Sequence, residues 1–505
     1  MTTFFRAIAL CFSFAALSSP SLAQHANETS ETAGPPATEP AVFTSSDSVR
    51  INGRTINYDV TAKETYFYDE TDSPNASIFS FSYVAQGVTD PTTRPVMFVF
   101  NGGPGSASLW LHMGVVGPKI VDVATDGPED DGAPPYPIID NPHSLLDVAD
   151  LVFIDPVGTG FSRILEDGDT ADHWGVEEDA RSVGNFIRRW LTENKRWGSP
   201  KYLAGESYGT TRAAALAEEL TGGYNDVALN GILLISAILD FEGSRGFIGE
   251  VGLMPTHAAL GWYYNRVDRS AWNDDMDAFL ADARDFASDT LAPALLKGQG
   301  LSDEEEAAII AQYSDLTGLS EEYLDRANMR VDVGRFMKEY LRDQGLTLGR
   351  FDGRYTGTEV DNVGEYTYDD PSGYAMDAAF TGSMNDYMTR YLGIDITRPY
   401  KVLPWEPGTN WKSVSGGGST GPGYTNVVPG LGTAMRHNRE MRVLLASGYY
   451  DQATPFFAAE LSLQAHGVPQ DRVIRTYYEA GHMMYLERSE LEQLSIDMHA
   501  FMRGE

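Results

Sequence analysis

Gly205-Glu206-Ser207-Tyr208-Gly209 fits the pattern G-x-S-x-G. A serine becomes a useful nucleophile only when a base takes its proton and an acid orients that base. The flanking glycines let the chain make a sharp, strained turn that lifts the hydroxyl clear. A second stretch, Gly417-Gly418-Ser419-Thr420-Gly421, fits the same pattern. Only the first has a short apolar run before it, Tyr202–Ala204, and a helix-forming run after it, Thr211–Leu220. Ser207 is therefore the candidate nucleophile, and Ser419 belongs to a Gly-rich loop.

In a strand–turn–helix nucleophile site of this type the partners follow in the order serine, acid, histidine, each past the end of a later strand. Three late histidines compete: His466, His482 and His499. His482 follows the apolar run Val473–Tyr478 and sits after Gly481, where a loop belongs. His466 closes a helical stretch and His499 lies on a helix face. The acid belongs after the preceding strand, Arg442–Ala446, which leads to Asp451; Asp240, after Gly231–Ile235, is the alternative. A tetrahedral intermediate also needs amide donors aimed at its oxyanion. Tyr208 supplies one N–H, and Gly103 of Asn101-Gly102-Gly103-Pro104-Gly105 is expected to supply the other. No H-E-x-x-H or clustered ligand set is present, so the expectation is hydrolysis without metal or cofactor.

These residues need a frame. Pro95–Phe100, Leu151–Ile154, Gly231–Ile235, Arg442–Ala446 and Val473–Tyr478 are apolar runs of strand length. They alternate with helical stretches such as His173–Thr192 and Ser489–Met502, the latter with Ser489 as N-cap. Val49–Val60 and Ile78–Ala85 alternate apolar with polar residues, as antiparallel strands do. Buried strands alternating with helices predict a mostly parallel mixed sheet with helices on both faces; with the strand–turn–helix serine motif this is the α/β-hydrolase fold. Residues 48–240 and 437–505 are expected to build it. Residues 241–436 differ. Asp274–Leu296, Ser302–Asp315 and Glu321–Gln344 are helical in pattern, Ser302 and Glu305 forming a capping box. Gly349–Asp369 and Asn410–Gly432 have loop composition. This middle is expected to be an inserted helical cap.

The chain has 505 residues, 42% of them hydrophobic, and a formal net charge of −35. That supports a large core, and it excludes nucleic acid and anionic membrane surfaces as partners, since both would be repelled. Arg6, the apolar Ala7–Leu17 and Ser21-Leu22-Ala23 form an export signal over residues 1–23, too short to span a membrane. Residues 24–47 are expected to be a disordered lead-in. The single cysteine, Cys11, lies in the signal. The mature chain thus lacks disulfides, which suits a secreted or periplasmic bacterial protein. Asn27-Glu28-Thr29 and Asn75-Ala76-Ser77 are sequons, relevant only in a eukaryotic host.

Taken together, Asn101–Gly105, Asn141-Pro142-His143-Ser144, Asp155–Ser162 (DPVGTGFS), Gly205–Gly209, Ser447–Asp451 and Gly481-His482 resemble the serine carboxypeptidases, in that family's order. The resemblance implies release of C-terminal residues from peptides through an acyl-enzyme on Ser207. It also implies that Asn101 and Glu206 bind the substrate's free carboxylate, Glu206 with a raised pKa. Three positions depart from the family: Val99 stands where Trp is usual, Val115 where a second carboxylate-binding Glu is usual, and Ser106 where a cysteine is common. Lys119 is a candidate replacement contact. An esterase or acyltransferase on the same scaffold is the second reading, and a non-catalytic binding protein the third.

Overall fold

The computed structural model describes residues 39–123, 132–166, 168–241, 246–374, 376–413 and 424–505. The export signal, most of the lead-in, the sequon at Asn27 and the second serine motif at Ser419 lie outside these residues.

Among the described residues the frame is a ten-stranded sheet. Nine of its strands follow in chain order: β1 (Val42–Ile51), β2 (Arg54–Tyr68), β3 (Pro74–Ala85), β4 (Val96–Phe100), β5 (Asp150–Asp155), β6 (Lys201–Ser207), β7 (Gly231–Ala237), β8 (Arg442–Gly448) and β9 (Val473–Tyr478). In space they run β1-β2-β3-β5-β4-β6-β7-β8-β9, with short Arg163–Ile164 pairing to β3. The first three are an antiparallel meander, and β3 meets β5 antiparallel. Every pairing from β5 to β9 is parallel.

Period-two geometry divides the apolar runs between two faces. Met97, Val99, Leu151, Phe153, Leu233, Ile235, Leu444 and Ala446 enter one core, with Leu494, Met498 and Phe501 of the closing helix. Val96, Phe98, Val152, Ile154, Ile232, Leu234, Val443 and Leu445 enter the other, under helix Val176–Glu193. Burial on both faces is why these strands read as continuous apolar runs rather than alternating ones.

The structure corrects several expectations. Val49–Val60 is not one strand. The chain turns at Asn52-Gly53, both at positive φ, between β1 and β2. β1 begins at Val42, so the lead-in expected through residue 47 ends earlier. The sequon residue Asn75 lies in β3 with its side-chain oxygen buried. The closing helix, Arg488–Arg503, is preceded by Glu487, and Ser489 bonds Glu490 instead of capping it.

The middle of the chain is not uniform. Gly246–Tyr263, a helix apolar almost all round and carrying Pro255, packs with Phe279, Tyr313 and Phe336 into a third core. Its all-round apolarity hid it from any search for an amphipathic stripe. The capping box of Ser302 and Glu305 is present. Phe380, Met384 and Tyr387, however, join the first sheet core, and helix Val428–His437, with residues 428–432 expected as loop, packs into the second. Residues 241–436 are thus divided among all three cores. No helix among the described residues is long and apolar enough to cross a membrane.

Candidate active site

Ser207 ends β6, and helix Tyr208–Glu219 begins at the next residue. Its φ of 59° and ψ of −130° lie where side chains other than glycine are rare. Such a conformation costs about 1–3 kcal/mol and persists only where the surroundings impose it. Here three glycines do. A methyl on Gly205 would collide with Gly209 O, one on Gly209 would lie 2.8 Å from Phe100 O, and one on Gly102 would collide with Tyr208 N and lie 2.9 Å from Ser207 Cβ.

The parallel register carries the other two groups to the same edge. Ser207 is level with Ala237 of β7. Ile235 pairs with Ala446 of β8, and Ala446 with Thr476 of β9. Asp451 and His482 occupy the loops just past β8 and β9. Both are buried, and His482 Nδ1 lies 2.8 Å from Asp451 Oδ2. A ring that donates through Nδ1 to a carboxylate keeps Nε2 as its basic nitrogen when neutral. Asp451 also accepts from Thr454 Oγ1 at 2.5 Å, from Thr454 N at 2.9 Å and from Ala453 N at 2.8 Å. Burial pushes Asp451 up, but the charge and hydrogen bond of His482 and the bonds from Thr454 hold it below the usual carboxylate range. For His482 burial acts downward, yet Asp451 and Glu206 outweigh it and its pKa is raised.

The rejected candidates are engaged elsewhere. His466 Nε2 lies 3.2 Å from Asp240 Oδ2, so those two alternatives pair with each other, and Asn426 also donates to Asp240. His499 pairs with Asp147 at 2.8 Å. Lys119 bridges Asp140 at 2.6 Å and Asp47 at 3.1 Å, which removes it as a substitute carboxylate contact.

Glu206 is buried beneath this edge, and burial pushes its pKa up to about 7. His482, Tyr485 and Asn101 act against that rise and Asp451 adds to it. Tyr485 donates its hydroxyl to Glu206 Oε2 at 2.7 Å. Asn101 Oδ1 accepts from Leu111 N at 3.0 Å, which leaves the amide NH2 of Asn101 to hydrogen-bond Glu206. Val115, at the position of the family's second Glu, is fully buried. Gly103 is exposed in its loop at a φ of 100°, and the glycine packed on Tyr208 N is its neighbour Gly102.

Sequence reasoning missed two supports. Arg212, fully buried, donates to Asp179 Oδ2 and to Asn101 O, each at 2.5 Å, and lies over the rings of Phe100 and Tyr208. Residues 349–354, which have loop composition, brace the loops that carry His482 and Asp451. His482 N donates to Phe351 O at 2.6 Å, Gly481 N to Asp352 Oδ2 at 3.0 Å, and Gln452 N to Arg350 O at 3.1 Å. Arg354 clamps Asp352 in turn. Arg212, in the helix that opens at Ser207, was findable as a charged residue on a face otherwise buried; the brace gave no signal.

The sequence model of the family described as "Serine carboxypeptidase" matches residues 57–344. Serine carboxypeptidase-like 16 of Arabidopsis thaliana is 29% identical over 175 residues, 33% of this chain and 38% of that protein. Serine carboxypeptidase ctsa-3.1 of Caenorhabditis elegans is 27% identical over 196 residues, 37% of this chain and 31% of that one. The chain therefore spans well under half the length of these curated relatives. The crystal structure of Kex1(delta)p, a prohormone-processing carboxypeptidase from Saccharomyces cerevisiae, aligns with a TM-score of 0.53 at 15% identity, over 88% of this chain and 91% of that one, and shares the fold.

Proposed function

The chain belongs to the serine carboxypeptidase family, and from that premise we propose that it releases C-terminal amino acids from peptides through an acyl-enzyme on Ser207. Ser207 Oγ attacks the scissile carbonyl carbon as His482 Nε2 takes its proton. Asp451 fixes the ring through Nδ1 and stabilises the imidazolium. The oxyanion meets the N–H groups of Tyr208 and Gly103; at the first residue of a helix the N–H has no intrahelical partner and is free for this use. His482 returns the proton to the leaving amine as the C–N bond breaks. Water, deprotonated by His482, then attacks the acyl carbon, and Ser207 recovers its proton.

The observation that carries the exopeptidase reading is Glu206, a buried carboxyl one residue before the nucleophile with its pKa near 7. When protonated it donates to a terminal carboxylate, with Asn101 beside it. Ionised, it repels that carboxylate. Peptide cleavage therefore requires neutral His482, which sets the acid limb, and protonated Glu206, which sets the alkaline limb. The test is a paired assay on an N-blocked dipeptide with a free or an amidated C-terminus. Cleavage of the free form alone is expected; equal rates would remove the exopeptidase claim.

Val115 favours a second reading, an esterase or acyltransferase, because the apolar side chain supplies no second carboxyl for a substrate carboxylate. Ester turnover without release of an amino acid from any peptide would select it. The N-terminal signal and the net charge of −35 support export of a soluble enzyme, into an envelope or medium where disulfides are not needed. Its partners are peptides with a free C-terminus.

A further inference from the structure

We infer that the Tyr485 hydroxyl is a positioning residue for carboxylate recognition, holding Glu206 Oε2 so that the opposite oxygen faces the terminal carboxylate of a peptide substrate. This rests on the exopeptidase reading of Glu206 and adds a residue and a pH behaviour to it. Three observations converge. Tyr485 OH donates to Oε2 at 2.7 Å, and both residues are buried. The ring enters through a gap that only glycine leaves. A methyl on Gly114 would collide with Tyr485 Cε2, lie 2.8 Å from Cδ2, and also press Phe380 at 3.3 Å. The adjoining residue is Val115, apolar and fully buried. The helical turn around residues 112–116 thus offers Glu206 no carboxyl of its own and makes room for a phenol instead.

The substitution changes the chemistry of the pair. Two carboxyls in contact share one proton and titrate together in the acid range. A phenol does not. Burial and the charge of Glu206 raise Tyr485 well above its ordinary value, so its proton stays in place. With Tyr485 fixed as donor to Oε2, the acid proton of Glu206 resides on Oε1, the oxygen left to meet substrate. The groups acting on Glu206 are Tyr485, Asn101, His482 and Asp451, and Arg350 acts in turn on His482. Of the Glu206–Tyr485 pair, Glu206 alone titrates near neutrality. The Tyr485 bond favours its ionised form, so deleting the hydroxyl raises its pKa.

The test is Tyr485→Phe, assayed on a free-carboxyl peptide and on an ester lacking a carboxylate. Below the Glu206 inflection, KM for the peptide is expected to rise about tenfold, while kcat/KM for the ester stays within about twofold. The alkaline limb of the peptide profile is expected to move to higher pH. Parallel losses on both substrates, or an unmoved limb, overturn the proposal. Gly114→Ala, which displaces the ring and keeps the hydroxyl in the chain, should reproduce the peptide-selective loss and serves if the Phe variant does not fold; failure to do so overturns the proposal equally. A wild type blind to amidation of the C-terminus sinks the exopeptidase reading and this inference together. A wild type that discriminates, with a Tyr485→Phe variant unchanged in KM and pH profile, sinks this inference alone.

Discussion

Around Ser207 the chain is held by missing side chains: Gly102, Gly205 and Gly209 let three stretches of backbone touch. Around His482 it is held by side chains and carbonyls borrowed from residues 349–354, which belong to the middle of the chain. The Ser207 side is a local device, written in one short motif plus one loop. The His482 side is a long-range device, assembled from three separate segments. The first fails by collision and the second by losing hydrogen bonds, so substitutions should tell them apart.

The largest effect should come from the reacting atom itself. Ser207→Ala is expected to lower kcat by about 10⁵-fold with a near-normal melting temperature. A residual rate within a hundredfold of wild type would mean that neither side of the comparison surrounds the true nucleophile. Next, Gly102→Ala should cost about 10³-fold in kcat, because the added methyl strikes Tyr208 N and only backbone movement relieves it. A benign Gly102→Ala would break the claim of close backbone packing. Asp352→Ala should lower kcat by only about tenfold to a hundredfold, yet cost about 2 kcal/mol in denaturant unfolding, since Arg354 loses its closest carboxylate and keeps only Glu487 at 3.5 Å and the Glu479 carbonyl. Unfolding and kcat both unchanged would show the brace to be idle.

The smallest effect should be the most selective. Glu206→Gln is expected to lower kcat/KM for a free-carboxyl peptide about tenfold and leave an ester within about twofold. Its signature is pH. On the proposed reading Glu206 must be protonated, so wild-type peptide cleavage is expected to fall as pH rises through about 7. Glutamine does not ionise, and that fall should vanish, while the acid limb set by His482 remains. An alkaline limb that survives in the variant would assign it to another group.

The contrast also explains what could be read from the chain alone. The parallel strands were legible because burial on both faces writes itself as unbroken apolar runs, as in Val96–Phe100 and Asp150–Asp155. Ser207, Asp451 and His482 were legible as candidates because each follows such a run. The β1–β2 hairpin was misread as one strand because its turn, Asn52-Gly53, interrupts an alternation that continues on both sides. Asp352 left no trace, since its role depends on two glycine-containing loops that lie 129 residues apart in the chain. Helix Gly246–Tyr263 was missed because it is wrapped in protein on nearly every side and so has no polar stripe. Tyr485 stands close behind His482 and could have been noticed, but its partner became visible only with Gly114 and Val115 in three dimensions.

The closing helix gives the position of His482 a temporal meaning. Phe501 fills the space beside Gly231, and Arg442 binds its carbonyl, so the last turn of this helix is wedged against the two strands that precede the Asp451 loop. A growing polypeptide displays Ser207 and its elbow long before β9 and this wedge exist. On the proposed mechanism that hydroxyl has no base until His482 is in place, so the site becomes competent only when β9 and this helix have docked.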